Sequence, residues 1–261
     1  MANPLYGQNK IDGKIDEKVT GKKQVYRFGT PPVVHDYEHP VIQLADGTAA
    51  DTVLHSYADG LSMTFSAVVA QAIDRPAPQT TGMDYGYDQV NNDGIELVYS
   101  CITTKGREGV DRFTVGKQAF SAELEFSVAT VAGTDVGNFG FRKVEALQAD
   151  WNDYDEAAGL YPISGDIKLQ TIINNASTVT TDTTANWADG EVHSLKVIVS
   201  KAGAVTYKID GSAPSTTAAF SFDIGEVVTP FFHQLQASGA QTGLLILRKF
   251  TVESDNGSME D

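Results

Sequence analysis

Hydrolysing a glycosidic bond requires two carboxyl groups facing each other across a cleft, and a β-strand presents them when acids recur at every second position. Glu123 and Glu125 meet that spacing, yet no third acid joins them, and no window has a Glu-x-Asp-x-Glu or Glu-x-Asp-x-x-Glu pattern. A solvated strand face is expected for the pair. Asp150, Asp153, Asp155 and Glu156 cluster on a segment where Val144, Leu147, Trp151 and Tyr154 fall three and four apart, which predicts a short helical loop with its acids outward. Nucleophilic chemistry lacks its parts: no Gly-x-Ser-x-Gly occurs, and Cys101, the one cysteine, has no flanking histidine and reads as a small buried hydrophobe.

Metal ligation is also weakly encoded. Asp84, Asp88, Asn91, Asn92 and Asp93, and again Asp150 to Glu156, offer the hard oxygens calcium takes, but without EF-hand spacing. Turn formation accounts for the first group and solvated charge for the second, so no metal is assigned and calcium is left as the one open cofactor. His35 and His39 lie between Pro32 and Pro40, which deny them a helix that would align them on an ion. The reading is of a protein without catalytic residues.

The elements that carry these residues are strands. From Trp187 to Gly211 the sequence gives a turn, a strand with Leu195, Val197 and Val199 on one face, a Lys201-Ala202-Gly203 turn, and a strand with Val205, Tyr207 and Ile209 on one face. His193, just before the first strand's apolar run, is expected to be structural. Alternation recurs at 61–68, 95–100, 120–128, 138–143, 167–173 and 231–237, and the Thr-rich run 177–184 reads as another strand. In the last strand, 244–253, the apolar face switches near Arg248, the signature of a bulge. Many short strands separated by Gly, Pro, Asn and Asp predict an all-β sandwich of two antiparallel sheets.

Before residue 50 the pattern differs. Residues 1–30 are rich in Lys, Gly and Asp, prolines follow at 31, 32 and 40, and the two together predict an extended N-terminal arm at 1–50 ahead of a sandwich at 51–255 and a tail at 256–261. Leu5, Tyr6, Val25, Tyr26 and Phe28 are the arm's apolar anchors, for a partner or for its own domain.

Charge narrows the partners. Nineteen Lys and Arg against thirty-four Asp and Glu give a net charge of −15, unsuited to binding nucleic acid or anionic membrane. No apolar run approaches a membrane span, and the opening residues lack the pattern of a signal peptide, so synthesis in a cytoplasm is expected.

The order Trp187, Asp189-Gly190, His193, alternating strand, glycine turn, second strand, Asp210-Gly211 resembles the signature hairpin of concanavalin A-like jelly rolls, in their laminin G-like branch. That resemblance implies the jelly-roll sandwich and leaves activity open, because the superfold hosts lectins, glycosidases and shell proteins alike. Ala2 to Gly7, Phe139 to Ala158 and Asn186 to Phe232 are in addition similar to virion structural proteins of tailed bacteriophages. This second resemblance implies a capsid decoration protein or head appendage on the virion surface. It would bind the major capsid protein as a homo-oligomer, a trimer being the first expectation. The alternative is a lectin-like module for host-surface glycans, with Trp151, Asn152 and Tyr154 as glycan contacts through ring stacking and amide hydrogen bonds.

Overall fold

A computed structural model describes residues 113–132, 137–145, 148, 150–236 and 245–254 with their side chains, together with Thr81, Gly82, Asp84 and Glu96. The remaining strands are described by backbone and register. In chain order the strands are β1 (Lys10–Ile11), β2 (Lys14–Ile15), β3 (Gly21–Arg27), β4 (Val53–Ser56), β5 (Ser62–Ala67), β6 (Ala77–Gln79), β7 (Gly82–Asp84), β8 (Asp93–Val98) and β9 (Phe113–Thr114). They continue with β10 (Phe120–Val128), β11 (Asn138–Lys143), β12 (Ala157–Ile163), β13 (Asp166–Ile172), β14 (Val179–Asn186), β15 (Val192–Val199), β16 (Val205–Ile209), β17 (Val227–Leu235) and β18 (Leu245–Asp255).

Apart from a β1–β2 ribbon, these strands form two large antiparallel sheets. One runs β16-β15-β10-β18-β7-β6, with β3 also on β18, and the other runs β14-β13-β12-β11-β17-β8-β5-β4, with β9 on β17. Alternation decides what lies between them. Ala122, Leu124, Phe126 and Val128 of β10, Leu195, Val197 and Val199 of β15, and Tyr207 of β16 meet Phe139 and Phe141 of β11, Leu160 of β12, Leu169 of β13 and Phe232 of β17. Edge-on ring contacts lock the layers, among them Phe139 on Phe250 at 5.6 Å and Phe120 on Phe141 at 5.1 Å.

The expected hairpin is β15–β16, paired from Leu195↔Ile209 to Val199↔Val205. Its turn needs Gly203, whose φ of +88° and backbone proximity exclude a side chain, since an added Cβ would lie 2.2 Å from the Phe222 carbonyl oxygen. The bulge in the last strand is present as well. Glu125 faces Lys249 while Phe126 faces Leu247, so Arg248 has no partner across the ladder and the buried set passes from Leu245 and Leu247 to Phe250 and Val252.

Of the helical turn or two expected between Val144 and Ala158, the described residues show one 3-10 turn, Trp151–Asp153, and β12 starts at Ala157. Asp150 and Tyr154, at the turn's two ends, are both in extended conformation, and the Asp150 carboxylate accepts hydrogen bonds from the Asn152 backbone N–H and side-chain amide, each at 3.0 Å. Burial of Trp151 and Tyr154 against the sheet overrides the spacing that suggested a helix. Glu156, expected outward, is buried with 4% exposure.

Of the arm's anchors, Val25 and Tyr26 fall in β3, opposite Thr251 and Phe250 of β18. Leu5, Tyr6 and Phe28 lie outside the described residues, as do Cys101, His35, His39 and the acidic group from Asp88 to Asn92.

Candidate functional site

Part of the nine-stranded sheet's outer face is buried as well, against Trp151 and Tyr154. Phe139 and Phe141 point into the sandwich, so Arg142, one residue on, emerges on the opposite face, where Glu96 of β8 and Phe231 and His233 of β17 also lie. The Arg142 Nε–H donates to Glu96 Oε1 at 2.6 Å, and Nη1 donates to the carbonyls of Lys143 at 2.9 Å and Glu145 at 3.4 Å. Its guanidinium carbon stands 4.8 Å from the centroid of the Tyr154 ring, whose hydroxyl donates to the same Glu96 oxygen at 3.0 Å. Trp151 stacks on Phe231 at 5.4 Å, and Tyr154 meets His233 edge-on at 5.9 Å.

Burial works against the charge of Arg142, but the Glu96 carboxylate outweighs it and holds the guanidinium pKa above its ordinary value. Burial dominates at His233 and lowers its pKa, leaving a neutral imidazole. Burial, reinforced by Glu96, drives the Tyr154 hydroxyl well above its usual range. The cluster is thus a dry ion pair with two neutral aromatic neighbours. It pins the loop's tyrosine and the first residues of the loop to three strands at once.

A second buried pair lies where the loop rejoins the sheet. Glu156 is pushed up to about 8, first by burial, then by the neighbouring Glu226 carboxyl and by Asp223, against the opposing influence of Lys143. Lys143 closes the group from the rim, bonded to Asp155 and 3.8 Å from Glu226 Oε1.

Above this anchor is an exposed rim. Asn152 sits at the turn's outer corner, where its side-chain oxygen accepts a hydrogen bond from the Thr178 hydroxyl, joining the turn to the hairpin between β13 and β14. The Asn175 N–H donates to the Asp155 carbonyl at 2.7 Å, a second tie between the same two segments. Asn174 and Asn175 turn the chain at φ of 48° and 57°, values that asparagine tolerates better than most side chains. Beside them Ile173 and Val179 are 48% and 58% exposed.

Of the three residues expected to contact a glycan, only Asn152 faces solvent. Trp151, with 3% exposure, and Tyr154, with none, support the turn from below instead of offering a ring for stacking. Ile173, Asn174, Asn175 and Val179 were not singled out by sequence reasoning. Their signal was an Asn-Asn pair directly after an alternating strand, with an isoleucine where the alternation should have ended.

The other residues considered for chemistry are accounted for locally. His193 Nδ1 is 2.8 Å from Asp210, whose other carboxylate oxygen accepts the Ser194 N–H at 2.8 Å, so the histidine fixes the hairpin as expected. Glu123 accepts from the Ser194 hydroxyl at 2.6 Å and lies 3.8 Å from Lys196. Among the described residues no group of three or more His, Cys, Asp or Glu is arranged to hold a metal ion.

No protein-family model matches the chain, and no curated protein matches it in sequence. Solved structures do match in shape. The carbohydrate recognition domain of Emp47p superposes with a TM-score of 0.50 at 13% identity, covering 82% of this chain and 95% of that one. Lectin II from Ulex europaeus gives 0.50 at 11% identity, over 90% of this chain and 98% of its own. The fold is the concanavalin A-like jelly roll. In this jelly roll the 144–156 segment and the β13–β14 hairpin form one joined surface at the edge of the nine-stranded sheet.

Proposed function

We propose that this chain is a non-catalytic, lectin-like carbohydrate-binding module whose contact surface is the rim made by the 150–153 turn and the 173–179 hairpin. The observation that carries the reading is the placement of two exposed aliphatic side chains, Ile173 and Val179, among the amides of Asn152, Asn174 and Asn175. An amide both donates and accepts, as paired sugar hydroxyls require, and an aliphatic surface suits the apolar face of a pyranose ring. The buried anchor limits the ordering cost of binding, because the turn is already fixed from below. Two carbohydrate-binding proteins with the same fold support the ligand class.

The test is a glycan array probed with the full chain, followed by calorimetry of the best ligand. Asn152→Ala is expected to weaken binding about tenfold, roughly 1.4 kcal/mol, with the melting temperature lowered by no more than a few degrees through loss of the bonds to Thr178 and Asp150. Absence of any glycan binding, or binding indifferent to Asn152, refutes the proposal.

A second reading is a virion decoration protein held on a major capsid protein lattice through Leu5, Tyr6, Val25, Tyr26 and Phe28. What favours it is that part of the N-terminal segment, β3, is attached as an added strand. Removing residues 1–50 should then abolish binding to purified particles while leaving a folded domain, whereas unchanged glycan binding by that domain supports the first reading.

A further inference from the structure

Charge is divided unevenly along this chain. Residues 1–27 carry six Lys or Arg and three Asp or Glu, net +3, so the remaining residues of a −15 chain carry −18. The cationic portion ends in β3, which pairs antiparallel with β18 over seven positions, from Lys249↔Arg27 to Asp255↔Gly21. Lys23 stands in register with Glu253, whose carboxylate accepts from Lys196 at 2.9 Å. Among the described residues β3 pairs with β18 alone.

Between β3 and β4 run residues 28–52. Twenty-five residues reach at most about 80–90 Å when extended. A sandwich of about 200 residues has a radius of gyration of roughly 17 Å, hence a diameter of about 45 Å. The connector is therefore long enough to deliver β3 to a neighbouring molecule. The same seven pairs and the same charge attraction form within one chain or between two, so local concentration decides between them.

We propose that Gly21–Arg27 is an exchangeable strand: it closes on β18 of its own chain in dilute solution and on β18 of a second copy where copies are held close together. The partner is another molecule of this chain, recognised by strand register and by attraction between a cationic leader and an acidic body.

The experiment uses full-length chains with Cys101→Ser throughout. Lys23→Cys in one chain and Glu253→Cys in another, differing in a mass tag, are mixed in a glutathione redox buffer over a hundredfold range of protein concentration, about 10 µM to 1 mM. Facing residues of an antiparallel pair have Cα atoms about 4.5–5.5 Å apart, within disulfide range. Gln24→Cys with Glu253→Cys is the control, because adjacent strand residues point to opposite faces. The expected result is a mixed disulfide at least tenfold above the control (about 1.4 kcal/mol), rising with protein concentration and reduced several-fold by 0.5 M salt. The chain carrying both cysteines should close on itself. A mixed disulfide no more abundant than the control overturns the proposal, as does failure of the double variant to close. Without cysteines, the full chain at millimolar concentration should sediment partly as a dimer, and Val25→Pro should not; identical sedimentation also overturns it.

Discussion

Replacing Glu156 by glutamine should make the protein more stable near neutral pH and leave it unchanged in acid. Glu156 is buried beside Glu226, with its pKa at about 8 against an ordinary 4.5. Between those values the folded protein holds a proton that the unfolded chain has released, so folding stability falls as pH rises, by up to about 1.36 kcal/mol per unit. Below about 4.5 both states are protonated and the group imposes no penalty; above about 8 the carboxylate is ionised in both and the loss levels off. The full window amounts to at most about 5 kcal/mol, and solvent screening brings the effective figure to about 2–5 kcal/mol. Glutamine is close in shape to the protonated carboxyl and needs no proton. Thermal melts of wild type and Glu156→Gln from pH 4 to 9 should therefore coincide near pH 4.5 and diverge upward for the variant, by about 4–15 °C at pH 7.5. Parallel curves across that range would show that Glu156 holds no proton in the folded protein at neutral pH, and the argument would fail.

Three further perturbations examine the loop and its support. Arg142→Met strands the Glu96 carboxylate in a dry site and should cost about 3–5 kcal/mol in urea denaturation, with Glu96→Gln added on top recovering part of the loss because an amide requires no counterion. Trp151→Ala removes the stack on Phe231 and should cost about 3–5 kcal/mol, with faster amide exchange at Asn152 and Asp153 as the local readout. Gly140→Ala would place a Cβ 2.1 Å from the Ala158 carbonyl oxygen, forcing β11 from β12, and a loss of about 3 kcal/mol or more is expected by the same denaturation assay.

The sandwich was readable because its strands carry one buried face. Alternation at 120–128 and 195–209, a glycine at the turn, and the face switch at Arg248 each reflect backbone geometry that local sequence must satisfy. The 144–156 segment was misread for the opposite reason. Trp151 and Tyr154 sit at helical spacing, but what buries them is Phe231, some eighty residues later, and the Glu96–Arg142 pair, whose members are 46 apart in sequence. No local window contains that information. The rim was half legible: Asn152 was identified from its type, whereas Ile173 and Val179 became neighbours of interest only once the hairpin and turn were joined through Thr178.

The buried ion pair makes sense as a positioning device more than as a source of stability. Desolvating two charges consumes most of what their attraction returns, and an apolar pair of similar volume would hold the sheet's outer face at least as firmly. An apolar pair would not, however, specify direction. Arg142 aims its donors at Glu96 on β8 and at two carbonyls where the loop begins, while Glu96 also receives the hydroxyl of Tyr154 at the loop's far side. Both ends of the loop are thereby referred to one carboxylate on a neighbouring strand. The turn between them has little freedom left, and Asn152 reaches Thr178 from a fixed base. The proposed recognition of sugar hydroxyls would require that fixity, since a displacement of an ångström would break the hydrogen bonds that distinguish one sugar from another.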